Sequence, residues 1–79
     1  LLIKHDEMHW VREDSKLEIG EEREFDVRIR YRQPLQKGKL IGKEEGVYIL
    51  FEEAQRAVAP GQFAAWYENE ELIGSGVIS

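Results

Sequence analysis

From Glu24 to Arg32 apolar and polar residues alternate without a slip, Phe25, Val27, Ile29 and Tyr31 against Asp26, Arg28, Arg30 and Arg32. Period two over such a length predicts a strand with one dry face and one wet face. The wet face carries arginines at alternate positions, side chains roughly 7 Å apart, close to the phosphate spacing of a nucleic-acid strand.

The remaining pattern predicts shorter strands. Leu1 to Lys4 and Met8 to Val11 flank the polar turn His5-Asp6-Glu7, and Leu17 and Ile19 form a brief strand before Gly20 and an acidic loop. Leu35 to Ile41 reads as a strand bent at Gly38, and Val47 to Phe51 is a run of β-formers after Gly46. Glu52 to Ala59 fits either one helical turn or an irregular loop. Pro60-Gly61 marks a turn, proline pre-setting φ and glycine taking the positive φ. Phe63 to Tyr67 and Leu72 to Ile78 form a hairpin around Glu68-Asn69-Glu70-Glu71, with Asn69 as its left-handed residue. Gly74 and Gly76, inside the last strand, predict a bulge or a barrel corner. No long helical periodicity occurs. The expected fold is all-β, a small six-stranded antiparallel β-barrel, because small sheets avoid exposed edges by closing.

Length and composition narrow the chemistry. The chain has 79 residues, so residues 1–79 are expected to be one domain, near the lower limit for an unaided core. It has no cysteine, which excludes disulfides, thiolate zinc sites and thiol nucleophiles. Charged residues make up 34%, no apolar run approaches the roughly 20 residues of a membrane helix, and no signal peptide is visible. A cytoplasmic location is expected. Residue 1 is Leu and the one methionine is Met8; a fragment of a longer protein is therefore expected. The net charge of −5 argues, taken alone, against a nucleic-acid partner. Its distribution matters more, because exposed charges are screened beyond about 10 Å at 0.1 M salt.

Few motifs carry chemistry. His5 and His9 resemble the H-E-x-x-H of zinc proteases only superficially: Asp6 follows His5, no third ligand is evident, and the segment reads as strand-turn-strand. They are expected to be surface histidines, with no metal bound. Gly74-Ser75-Gly76 is not the G-x-S-x-G of a nucleophile elbow, and no helix follows it to cradle a phosphate. Asp26 beside the arginine row is expected in an ion pair. The arginine face is the main polar feature, with Tyr31, Tyr48, Trp66 and Tyr67 as aromatic surface. Arginine suits bidentate phosphate contact and stacking on bases; the plain alternative is a solvated strand face.

Three segments, in order, carry a family resemblance. Val27-Arg28-Ile29-Arg30-Tyr31-Arg32-Gln33 resembles a strand in the C-terminal domain of tRNA-specific 2-thiouridylases, known by an older label as tRNA (5-methylaminomethyl-2-thiouridylate) methyltransferases. Phe51-Glu52-Glu53-Ala54-Gln55-Arg56-Ala57-Val58-Ala59-Pro60-Gly61-Gln62 resembles the family's F-x-E-P-Q-R-A-V-T-P-G-Q. Trp66-Tyr67 through Leu72-Ile73-Gly74-Ser75-Gly76-Val77-Ile78 resembles its F-Y…L-G-G-G-V-I, and His9-Trp10 its N-W pair. Ala54, Ala59 and Ser75 stand where the family usually has Pro, Thr and Gly, and the hairpin lacks the usual turn glycine.

The resemblance implies a barrel similar to those of translation factors. It implies a parent enzyme that sulfurates C2 of the wobble uridine in tRNAs for Lys, Glu and Gln. The parent's N-terminal domain would use ATP and magnesium, and its two cysteines would pass on persulfide sulfur from a relay protein. None of that chemistry can reside in this chain, which would carry no catalytic residue and no cofactor. Carried over by motif, Arg30, Tyr31 and Gln62 would touch tRNA, with Arg28, Arg32 and Arg56 as weaker backbone contacts. A second expectation is a scaffold barrel that packs on the parent's catalytic domain or docks the relay protein.

Overall fold

Alternation becomes strand pairing wherever one face has a core to meet. In the computed structural model, which describes residues 1–29, 34–53 and 58–79, Phe25, Val27 and Ile29 are buried while Glu24 is exposed and Asp26 and Arg28 are half-buried on the other face. Seven antiparallel strands form one sheet: β1 (Leu2–Lys4), β2 (Met8–Trp10), β3 (Glu22–Arg28), β4 (Gln36–Gly42), β5 (Gly46–Phe51), β6 (Phe63–Glu68) and β7 (Glu71–Val77). Their order is β1-β5-β4-β3-β6-β7-β2. The edge strands β1 and β2 are consecutive in the chain, separated only by the 3-10 turn His5–Glu7. The Ser79 N–H, just past β7, donates to the Leu2 carbonyl at 2.9 Å. One bent N-terminal segment thus serves both margins of a rolled sheet, which leaves little edge unpaired. Among the described residues the count is seven strands rather than the expected six, and β1 and β2, separate as expected, pair with different neighbours, β5 and β7.

The inner faces meet in a single core, with Ile3, Val27, Leu40, Ile49, Trp66 and Ile73 almost wholly enclosed. Trp66 is therefore core and not the aromatic surface expected for it. Trp10, half-buried, packs edge-on against it, ring centroids 5.2 Å apart at 67°. The expected strand at Leu17 and Ile19 does not form. A 3-10 turn (Glu13–Ser15) precedes it, Ile19 is 71% exposed, and Gly20 and Glu21 engage Gly42 through two isolated backbone bonds instead of a ladder. Gly38 marks no bend in the register of β4; a Cβ there would lie 2.9 Å from the Val27 side chain, so packing demands the glycine. The expected turn or loop at Glu52 to Ala59 lies partly outside the described residues. No helix among the described residues is long and apolar enough to cross a membrane.

The β6–β7 hairpin closes through two residues, Asn69 (φ 50°) and Glu70 (φ 69°), both left-handed. Such a loop matches the strand twist but needs positive φ twice. Asn69 was legible; Glu70 is the strained one, at a cost of about 1–2 kcal/mol for an ordinary L residue. Glu70→Gly is expected to stabilise the fold by about 0.5–1 kcal/mol, part of the relief being lost to glycine's larger unfolded-state entropy. A thermal melt should show a rise of roughly 4 °C; a fall would mean that the Glu70 side chain contributes more than its backbone costs.

Candidate functional site

Strand direction decides which loops share an end of the sheet. β3 runs out at Arg28, which stands opposite Ala65 of β6. β4 begins at Gln36, opposite Val27, and β5 finishes at Phe51, opposite Gly38. Gln62 immediately precedes β6, and its backbone is tied to Ile78 just beyond β7. Arg28 and Gln62, far apart in sequence, therefore belong to one end of the molecule. Arg30, Tyr31, Arg32 and Arg56 lie outside the described residues.

Gln62 is held by its own turn. Its N–H donates to the Ala59 carbonyl at 3.3 Å, closing a turn in which Gly61 has φ 93°, as the Pro60-Gly61 pair requires. The Ala59 N–H donates back to Gln62 Oε1 at 2.9 Å. Gln62 Ile78 pairing completes the frame, with the Ile78 N–H donating to the Gln62 carbonyl and the Gly61 N–H to the Ile78 carbonyl, both at 2.8 Å. The side chain is half-buried. Its carbonyl oxygen is committed to Ala59, and its amide N–H groups remain as its donors toward a partner.

Arg28 lies on the outer face of β3 with its guanidinium over the Tyr67 ring, 5.2 Å from the centroid. That cation–π contact orients a planar charge at the sheet surface. Asp26 is in an ion pair, as expected, but with Lys37 (3.4 Å), its direct cross-strand neighbour, rather than with an arginine.

The far end of the sheet is acidic. Glu13, Asp14, Glu18 and Glu21 occupy the β2–β3 connection, Glu44 and Glu45 the β4–β5 turn, and Glu68, Glu70 and Glu71 the β6–β7 hairpin. Two cations there are in ion pairs, Arg12 with Asp14 (3.0 Å) and Glu71 (3.3 Å), and Lys16 with Glu13 (2.7 Å). The Asp14 hydrogen bond and charge, followed by the Glu71 charge, raise Arg12 above the ordinary arginine value. Six residue steps along β3 span roughly 20 Å, about twice the Debye length at 0.1 M salt. Much of the acidity behind the net charge of −5 is therefore screened from the Arg28–Gln62 end.

His5 and His9 line one hollow with Met8, Trp10, Glu13 and Lys16. His5 Nε2 sits 3.0 Å from the Glu44 carbonyl. No group of three His, Cys, Asp or Glu side chains placed to hold a metal ion occurs among the described residues. Ser75 stands on the outer face of β7, across from Ala65 and His9, and its flanking glycines serve packing: a Cβ on Gly74 would meet the Trp66 indole, and one on Gly76 would meet Ile3. The Arg28–Tyr67 contact depends on the β3–β6 register and has no signature in the local sequence.

Residues 2–78 match the family model described as the aminomethyltransferase beta-barrel domain. The chain is 56% identical, over all of its length, to the tRNA-specific 2-thiouridylase MnmA of Flavobacterium johnsoniae. It is 52% identical over the same span to that of Christiangramia forsetii and 44% identical to that of Karelsulcia muelleri. In each case it spans 20% of the relative's length.

Proposed function

The chain belongs to the aminomethyltransferase beta-barrel domain family, and from that membership we propose that it is the C-terminal, tRNA-gripping domain of a tRNA-specific 2-thiouridylase. Its parent is a cytoplasmic transferase that places sulfur on C2 of the wobble uridine in tRNAs for Lys, Glu and Gln. The observation that carries the gripping role is the gathering of Arg28 and Gln62 at one end of the sheet, opposite the acidic β2–β3, β4–β5 and β6–β7 connections, with Glu52 and Glu53 the acidic pair that follows β5 on their own side. Arg30, Tyr31 and Gln62 make the principal tRNA contacts, and Arg28, Arg32 and Arg56 position the backbone.

The parent's ATP and magnesium do not fit the residues here. The described residues contain no α-helix whose N-terminus could receive a phosphate and no ligand triad for a cation; we assign activation of the base to the parent's N-terminal domain on the family resemblance. Sulfur transfer falls to the parent's cysteines, supplied by a persulfide-relay protein, since this chain has no cysteine.

Arg30→Ala in the complete enzyme is expected to weaken tRNA binding about tenfold at low salt, a charge-assisted contact being worth about 1.5–3 kcal/mol. It should also flatten the dependence of log K on log salt by about one phosphate contact. A salt series in which affinity and slope both match the parent would remove Arg30 from the site.

A second reading, a scaffold packed on the parent's catalytic domain or the relay protein, is favoured by the outer face of β5. Tyr48 is 43% and Leu50 55% exposed there, and Leu2 and Ile41 stand directly across from Tyr48 on β1 and β4. Burying such a face is a normal interdomain contact. If Arg30→Ala and Gln62→Ala enzymes both bind tRNA unchanged, while substitution of Leu50 by a charged residue lowers the stability of the complete enzyme, this would be the domain's role.

A further inference from the structure

Phe63, the first residue of β6, directly follows Gln62 and is 64% exposed. A ring at that level of exposure adds nothing to the core. On the same outer face of β6 follow Ala65 and Tyr67, and across from them on β7 stand Val77 opposite Phe63 and Ser75 opposite Ala65. The short side chains of Ala65 and Ser75 make a low floor. Phe63 rises at one end of it, and Tyr67 at the other, about 13 Å away at strand spacing. Arg28 closes the side, opposite Ala65 and with its guanidinium over Tyr67.

A flat floor bounded by aromatic rings and a guanidinium is suited to a planar, electron-rich group whose backbone is anionic. We propose that Phe63 is a base-stacking residue, taking one unpaired base of the bound tRNA against its ring while Gln62 donates its amide N–H groups to the same nucleotide. Stacking of this kind is sequence-tolerant, because every base has a π face, and strands of a sheet present aromatic rings to single-stranded RNA in this manner. An RNA base is favoured over an apolar protein surface by the neighbours: besides Val77 opposite it and Tyr67 at the far end, they are a cation, a glutamine, an alanine and a serine.

The inference rests on the tRNA-gripping reading, and the two can fail separately. The complete enzyme would be titrated with an unmodified tRNA transcript at two salt concentrations, as parent, Phe63→Leu, Phe63→Tyr and Arg30→Ala. Phe63→Leu keeps an apolar side chain but removes the π face; it should weaken binding roughly tenfold, within the range for one stacked base, with the salt slope unchanged. Phe63→Tyr should stay within about twofold of the parent, since its ring still stacks. Melting temperatures of the variants should match, because the side chain is outside the core. Phe63→Leu binding like the parent while Arg30→Ala weakens would overturn stacking alone; neither variant weakening would overturn the tRNA-gripping reading with it. A lowered melting temperature of Phe63→Leu with unchanged tRNA affinity would place the ring against another part of the protein and also overturn the proposal.

Discussion

Trp66→Ala is expected to leave the domain largely unfolded at 37 °C. Trp66 is 0% exposed and is the largest of the fully buried side chains. It packs edge-on against Trp10 and pairs with both Val27 and Gly74 across β3 and β7. Truncating a buried tryptophan removes its transfer free energy and leaves a cavity, together about 3–5 kcal/mol. A domain of this length has about 4–12 kcal/mol in all, at about 0.05–0.15 kcal/mol per residue. The loss thus takes about a quarter of the whole at the least and all of it at the most, in a fold with no disulfide to limit the unfolded chain. Trp66→Phe should cost much less. The indole Nε1 is buried without a hydrogen-bond partner among the described residues, so Phe gives up no protein hydrogen bond there and loses mainly volume. Far-ultraviolet circular dichroism with a thermal melt distinguishes the outcomes. A Trp66→Ala melting point within a few degrees of the parent would mean that the core does not depend on this ring.

The contrast between Trp66 and its neighbours shows what the sequence makes legible. The parity of Phe25, Val27 and Ile29 was readable because period two needs nothing beyond the segment itself, and the Pro60-Gly61 turn because it rests on local dihedral preference. Val27, Trp66 and Gly74 meet only through two registers, β3 with β6 and β6 with β7, the second shifted by an irregularity between Trp66 and Tyr67. No local pattern encodes which residues such a shift brings together, so Trp66 read as surface; the glycines predict a bulge or corner, and the irregularity does fall beside Gly74, with Ile73 the extra residue on β7. Leu17 and Ile19 misled for a related reason. Alternation announces a strand, but without a partner ladder the segment remains a loop fastened to Gly42.

The candidate site divides in the same way. Gln62 was located by its motif, and the turn that holds it was legible. That Arg28 reaches the same end, and that its guanidinium lies over Tyr67, follows from strand pairing alone. The net charge pointed away from RNA because a sum has no geometry. Once three of the acidic connections are seen to gather at the opposite end, leaving Glu52 and Glu53 as the acidic pair beyond β5, the same composition is compatible with an anionic partner at the Arg28 end.

Gly74→Ala is the second large effect and the sharper test of that geometry. An added Cβ would lie 2.7 Å from three atoms of the Trp66 indole, closer than nonbonded carbon atoms approach. The indole cannot yield, since it is fully enclosed and braced by Trp10. Overpacking of this kind costs about 1–3 kcal/mol and sometimes more, although Ala at an ordinary strand position would be favoured over Gly by roughly 0.5–1 kcal/mol. The sign of the change therefore reports whether the ring lies on the β7 backbone. A double-mutant cycle makes the assignment specific: in a Trp66→Phe background the smaller ring lacks part of the clashing edge, so Gly74→Ala should cost at least about 1 kcal/mol less than in the parent, a coupling typical of residues in contact. Urea melts of the four proteins measure it. Additive effects would mean that the cost of Gly74→Ala comes from the strand backbone and not from the indole.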